Sequence, residues 1–372
     1  MFFLIQRCKG AREVYLEEGY WGGVENGELV TYFCPYKYCN CIQKGDLPGC
    51  MFDSLDPDSQ CSVGRKGWLC GRCKEGLSVG LLPFECLDCK WAGWFLAVAV
   101  IAVVILCVIV IWLNMGISND LRGPLFLFQM LPYVFEPRNK VGDVVNALSD
   151  IMRFGGPFAF LFRTCAVDGM NNLYGVALGY VMPFATLGVF VTSYILSANY
   201  LIRLKFRRNS PLQSFWLIML FMYSYLVETS LLLHHCPKVG IHHVFFYDGN
   251  VVCYQGDHLI MVILASLVLL VFVIPPPVII VMLTTGIWKV DSQYVSTLTN
   301  GLTRDCLWWW TVDLGRRVLI VASFVFVPDV LSKQVSLLWE IYCLLIHFRF
   351  LPCLILAVLF ININEELLII MS

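Results

Sequence analysis

Three sets of residues in this chain have the types and spacing to do chemistry. Cys70-x2-Cys73 and Cys86-x2-Cys89 have the outline of a four-thiolate zinc site, in which two such hooks place four sulfurs tetrahedrally at about 2.3 Å. The same sulfurs can form disulfides, with Cys61 as a further partner just upstream on the same Gly-rich run. His234, His235, His242 and His243 surround one polar loop that also carries Cys236 and Cys253. Imidazoles in such a place can bind metal or titrate at pH 6 to 7. No carboxylate or thiolate stands at ligand spacing beside them, so they read as loop histidines, and neither metal nor cofactor is expected.

The third set is charge inside apolar sequence. Glu228 sits about two thirds of the way along an otherwise uncharged run, a costly place for an acid unless it faces water or a partner. It reads as an intramembrane pathway residue or as a structural acid that packs near the outer boundary. Asp313, Arg316 and Arg317 are spaced i, i+3 and i+4, which places them on one helical face as an inner-edge ion pair with its arginines reaching toward headgroups. The functional alternative is a latch at the inner edge of a membrane.

What must position these residues follows from composition. Of 372 residues, 58% are hydrophobic and only 14% charged, against roughly 25% in a soluble domain. Several uncharged runs exceed the roughly 18 residues that mark a membrane-spanning helix. Lys+Arg 26 against Asp+Glu 27 leaves a net charge of -1, so no basic field argues for nucleic acid. Enzyme signatures are absent: the chain has no GxSxG, GxxxxGK[ST], HExxH or helix-opening GxGxxG. The reading is not an enzyme but a multi-pass membrane protein whose first partner is the lipid bilayer.

Seven spans are expected, over about 91–113, 117–136, 174–202, 211–234, 259–288, 307–327 and 335–360. Trp91, Trp94 and Trp112 flank the first as an interfacial belt, and Pro183 is expected to kink the third. Pro275, Pro276 and Pro277 must bend or break the fifth, because none can donate a backbone hydrogen bond. Residues 1–90 form a separate extracellular module, and 364–372 a C-terminal tail. Ten of the 17 cysteines lie in that module, which is too poor in apolar runs to build a large core and therefore needs disulfides.

Parity supports the orientation. With residues 1–90 outside, three crossings bring Arg203, Lys205, Arg207 and Arg208 to the cytoplasm, as the positive-inside rule requires. A fourth puts Cys236 and Cys253 outside on one loop, where they are expected to pair. With the module external, Cys61, Cys70, Cys73, Cys86 and Cys89 also read as disulfide partners rather than zinc ligands.

Cys39-x-Cys41, Cys61-x8-Cys70-Gly-Arg-Cys73-Lys-Glu-Gly76 and Cys86-x2-Cys89 resemble the closing half of a laminin-type EGF or ephrin-receptor-like cysteine module. The order of motifs after it includes Asp168-Gly169-Met170, Phe245-Phe246-Tyr247-Asp248-Gly249-Asn250 and Gly256-Asp257-His258. It continues through the break at Pro275 to Trp309-Trp310-Thr311 and then Arg317. Over about Tyr38 to Pro328 this order is similar to the multispan region of large surface proteins of sponges, cnidarians and other early-branching animals. A more remote likeness is to TRP-like membrane domains of fungi and protists. The resemblance implies an EGF-like extracellular module, incomplete at its start, fixed on a seven-helix membrane domain.

The expectation is therefore an all-α membrane fold, a seven-helix transmembrane bundle with a small disulfide-rich N-terminal module outside the plasma membrane. The leading functional reading is a receptor or adhesion-type protein with an extracellular ligand or partner. A TRP-like ion channel or transporter is the alternative, and a structural membrane anchor for an ectodomain the third. Met1-Phe-Phe-Leu-Ile5 is shorter than the apolar core of a secretion signal, so the chain is also expected to be a piece of a longer protein.

Overall fold

The computed structural model describes, with short breaks, residues 7–39, 50–89, 169–198, 211–287 and 309–327, together with Ala97, Val98, Ile101, Val104 and Ile105, which are helical. The spans expected at 117–136 and 335–360, most of 91–113 and the tail 364–372 lie outside the described residues. The chain divides into two compact units. One comprises Met1–Val100, Leu161–Tyr180 and Thr229–Ser266, and the other Ile101–Phe160, Val181–Glu228 and Leu267–Ser372.

The first unit holds short antiparallel ribbons. Strands β1 (Arg7–Lys9) and β2 (Glu13–Leu16) pair, while β3 (Tyr20–Glu25) and β4 (Glu28–Phe33) form a hairpin in full register from Tyr20↔Phe33 to Glu25↔Glu28. The two residues between Glu25 and Glu28 are Asn26-Gly27, the pair best suited to a two-residue hairpin loop, and Gly27 lies at φ +83°. Strand β5 (Cys50–Met51) adds to β2. The pairs β6 (Arg65–Lys66) with β7 (Arg72–Cys73) and β8 (Ser78–Val79) with β9 (Cys86–Leu87) are only two residues long. Ladders this short are not stable by themselves. Disulfides Cys34–Cys39, Cys61–Cys70 and Cys73–Cys86 tie them together, and Cys89 is disulfide-bonded as well.

The polar loop holding the histidines is also a sheet in this unit. Strands β10 (Lys238–Val239), β11 (His242–Phe245) and β12 (Asp248–Val252) pair in order, with a bulge between Val244 and Phe245. The Cys236–Cys253 disulfide closes its base.

The helices follow the apolar runs. Helix α1 (Asn172–Ala177) is capped by the Asn171 side chain, which accepts from the Tyr174 N–H, and passes through a 3-10 turn at Leu178–Tyr180 into α2 (Val181–Ala198). The irregular turn sits just before Pro183 because the proline ring excludes the carbonyl four residues back, that of Gly179. Next come α3 (Pro211–His234), α4 (Gly256–Val268), α5 (Pro275–Thr284) and α6 (Trp309–Phe326). Asn172–Thr192 and Gly256–Leu283 are long and apolar enough to cross a membrane, with mean hydropathies of 1.7 and 2.9. Thus the third rod begins at Asn172 rather than 174, the fifth at Gly256 rather than 259, and the sixth runs from Trp309.

The fifth rod meets the expected bend or break with a change of helix type. A π turn at Leu269–Val273, with the Ile274 N–H on the Leu269 carbonyl at 2.9 Å, carries the helix from α4 into α5. Pro275 begins the new segment, where its missing N–H costs least. Pro277 would have bonded the Val273 carbonyl, and the Tyr223 hydroxyl of α3 takes that carbonyl instead at 3.1 Å.

Candidate functional site

In the first unit, the cysteine-rich ribbons meet the start of α1 and the tip of β12 around a buried polar knot. Its centre is Arg65, 1% exposed, whose guanidinium carbon lies 3.4 Å from the centroid of the Tyr38 ring. Cation–π stacking replaces part of the hydration that this charge loses. Arg65 also donates from Nη1 to the Cys70 carbonyl at 3.1 Å. Burial pushes the Tyr38 hydroxyl up to about 12 and lowers Arg65, while each opposes the other's shift.

The Tyr38 hydroxyl donates to Asn172 Oδ1 at 3.2 Å, and Asn172 Nδ2 donates to the Gly71 carbonyl. Asn172 is the first residue of α1 and is fully buried, so one side chain holds two parts of the module and starts an apolar helix. Around it the Val79 N–H reaches the Met170 carbonyl at 3.1 Å, and the Gly169 N–H reaches Ser78 Oγ at 2.7 Å.

The β12 tip fits against the same module by backbone contact. A Cβ on Gly71 would lie 2.7 Å from the Asp248 Cα, and one on Gly249 would lie 2.7 Å from the Trp68 carbonyl oxygen. Only glycine permits that approach. Asp248 is 1% exposed, takes hydrogen bonds from the Asn250 N–H and Nδ2 at 3.2 Å each, and faces Arg72 Nε at 3.9 Å. Burial raises its carboxyl above the ordinary range; Asn250, Arg72 and Arg65 pull it back.

A second cluster lies at the base of the same sheet. His258, in the first turn of α4, is 0% exposed, and its Nε2 stands 3.8 Å from Cys236 Sγ and 3.9 Å from Cys253 Sγ. These three ligand atoms lie within 4.8 Å of one another, the one such grouping among the described residues. The two sulfurs are bonded to each other, so they present no thiolates to a metal. The loop histidines face separate partners instead. His234 bridges the Ser230 carbonyl and Ser266 Oγ, His235 stacks on Phe246 with centroids 4.3 Å apart, His243 Nδ1 lies 3.3 Å from the Cys236 carbonyl, and His242 is exposed.

The residues singled out from the sequence are therefore distributed between both units. Cys61, Cys70, Cys73, Cys86, Cys89, Cys236 and Cys253 are all disulfide-bonded in the first. Because Cys70 pairs with Cys61 and Cys73 with Cys86, the four-thiolate arrangement is not available. In the second unit Glu228 is half-buried in α3. There, Asp313 bonds Arg316 Nη2 and Arg317 Nε at 3.2 Å each, with Arg317 3% exposed.

Sequence reasoning gave no role to Tyr38, Arg65, Asn172 or Asp248, because nothing local marks a residue whose partner lies tens to more than a hundred positions away. Gly71 within Cys70-Gly-Arg-Cys73, and Gly249 after Asp248, were the available signals, since paired glycines allow two backbones to touch. The chain matches no model of a known protein family, no curated protein and no solved structure.

Proposed function

We propose that the protein is a multi-pass membrane protein of the cell surface, of receptor or adhesion type. In this reading an external ligand or partner of the cysteine-rich module acts on the helices through the knot at Asn172. The observation that carries the proposal is the pair of hydrogen bonds that join the first residue of α1 to Tyr38, which donates, and to the Gly71 carbonyl, which accepts. A module that served only as an attached ectodomain would need a flexible linker, not a buried polar clasp on a helix start. The full bundle of this reading has seven helices, with residues 1–90 outside.

The test is surface expression in suspension cells, read by labelling of the module on unpermeabilised cells, by cell clustering and by whole-cell current. The receptor or adhesion reading expects external labelling, clustering that Asn172→Ala weakens at equal surface level, and no current. Labelling without clustering, either with itself or with a panel of matrix-coated surfaces, returns the chain to a structural anchor.

A channel or transporter is the second reading, favoured by the π turn at Leu269–Val273, since such turns recur at functional sites. It expects an expression-dependent current or uptake that Glu228→Gln alters at unchanged surface level.

A further inference from the structure

We infer that the Cys236–Cys253 bond is a thiol–disulfide exchange site, with His258 as the catalytic residue and a small dithiol as the class of reductant it takes. The argument begins with the tautomer of His258. The Tyr254 N–H donates to its Nδ1 at 3.1 Å, so Nδ1 is an acceptor and the ring proton sits on Nε2. A hydrogen bond between the ring and the Leu233 backbone shares that proton with the two sulfurs. Nε2 is the nitrogen that faces both sulfurs, at 3.8 and 3.9 Å.

This arrangement is wrong for a metal and right for a leaving thiolate. A metal-bound histidine binds through a bare nitrogen and donates from the other. Here the nitrogen that faces the sulfurs carries the proton, and the other accepts from a backbone N–H that cannot reverse. An N–H beside a disulfide sulfur instead stabilises the thiolate that leaves when the bond is attacked, and a better leaving thiolate leaves faster. The ring is held in that pose by Phe245 and Tyr254, at centroid distances of 5.4 and 5.9 Å. Tyr254 itself has φ +60°, an uncommon conformation for a bulky residue and one that the surroundings must impose.

Accessibility sets the direction of attack. Cys253 is 5% exposed, whereas Cys236 is only half-buried. A thiolate of the dithiol forms a bond to Cys236 Sγ as the Cys236–Cys253 bond breaks, and the electron pair leaves on Cys253 Sγ beside Nε2–H. The second thiol of the reductant gives its proton to that thiolate. Its sulfur then attacks the reductant sulfur in the mixed disulfide and releases Cys236 as a thiolate. The dithiol loses two electrons and becomes a cyclic disulfide, and the protein disulfide gains them. Cys236 follows the end of α3 at His234, and Cys253 precedes the start of α4 at Gly256. Reduction therefore unclips the ends of two helices.

The experiment treats the full chain in detergent micelles with graded dithiothreitol, followed by two-stage alkylation and peptide mapping to time the opening of each disulfide. Cys236–Cys253 should open first, about tenfold faster than Cys61–Cys70, which matches it in pairing a half-buried sulfur with a buried one. His258→Gln should slow that step about tenfold and leave the other disulfides at their own rates. If His258 were only packing, its loss would loosen the cluster and speed the opening. Opening of Cys236–Cys253 with or after Cys61–Cys70 in the unaltered chain overturns the inference, as does an unchanged or faster rate in His258→Gln. Should that variant fail to fold, the order of opening in the unaltered chain decides alone.

Discussion

The two units are held by opposite kinds of bond. In the first, the buried polar groups reach across the chain: Gln60 pairs with both backbone groups of Gly22, Asn172 joins Tyr38 to Gly71, and the Tyr32 hydroxyl takes the Gly240 N–H. In the second, the polar contacts described lie mostly within one turn of helix, as in Asp313 with Arg316 and Arg317 or Thr192 with the Gly188 carbonyl. The difference follows from what each backbone needs. An apolar helix satisfies its own N–H and C=O groups along the ladder and asks little of its neighbours. A module whose strands run from two to six residues leaves more of its backbone to be satisfied by side chains and cross-links from elsewhere in the chain.

The comparison is tested most severely at Arg65. Arg65→Met removes the charge stacked on Tyr38 and leaves Asp248 with one cationic neighbour fewer, a loss of about 4 kcal/mol for a broken buried network. The expected result is retention inside the cell with little surface labelling. Surface levels equal to those of the unaltered chain would show that the disulfides suffice without the knot.

The joint change of Cys236 and Cys253 to Ser removes a 17-residue closure and is expected to cost about 3 kcal/mol in the chain-entropy view, read as a lowered apparent Tm in micelles. An unchanged Tm would mean that the sheet of β10 to β12 holds itself.

Acid separates the units by a different route. Burial against Phe246 lowers His235 to about 4, below the 6.5 of the unfolded chain. A folded value that is depressed means the unfolded state binds the proton first, so stability present above pH 6.5 is lost as pH falls from 6.5 toward 4. The loss amounts to about 3 kcal/mol at the bottom of that window. Asp248 acts in the reverse sense, since its raised folded value favours the fold as pH falls toward the ordinary carboxyl range. The difference between the unaltered chain and His235→Phe therefore isolates the histidine. His235→Phe should flatten the decline in Tm between pH 6.5 and 4, and parallel curves would refute the assignment.

In the second unit the effects should be smaller. Asp313→Asn leaves Arg317 buried without its carboxylate and is expected to cost about 2 kcal/mol, with Glu at the same position recovering part of it. Tyr223→Phe removes one hydrogen bond from the Val273 carbonyl at the π turn, a cost of about 1 kcal/mol. If either change matched Arg65→Met, the contrast between the units would fail.

Much of the helical architecture was legible in advance because it depends on local composition. The run from Pro211 to His234, the bounds near Trp309 and the need for a special turn at Pro275 all follow from hydropathy and the missing amides of proline. That Cys236 and Cys253 pair could be read from their place on one short loop. The Asp313, Arg316 and Arg317 set was legible for the same reason, since helical spacing alone puts the three on one face.

The tertiary structure decided what depends on residues far apart in the chain. Which cysteines of the module pair, with Cys61 to Cys70 and Cys73 to Cys86, depends on how its ribbons cross, and spacing permits several answers. Nothing in the sequence marks Arg65, which is buried with the Tyr38 ring stacked on its guanidinium. His258 entered only as part of Gly256-Asp257-His258, and only the fold sets it against the Cys236–Cys253 bond with a backbone N–H on its Nδ1. Periodicity and composition report on a residue's immediate neighbours, whereas a buried charge or a ring nitrogen takes its chemistry from whatever the fold brings within a few ångströms.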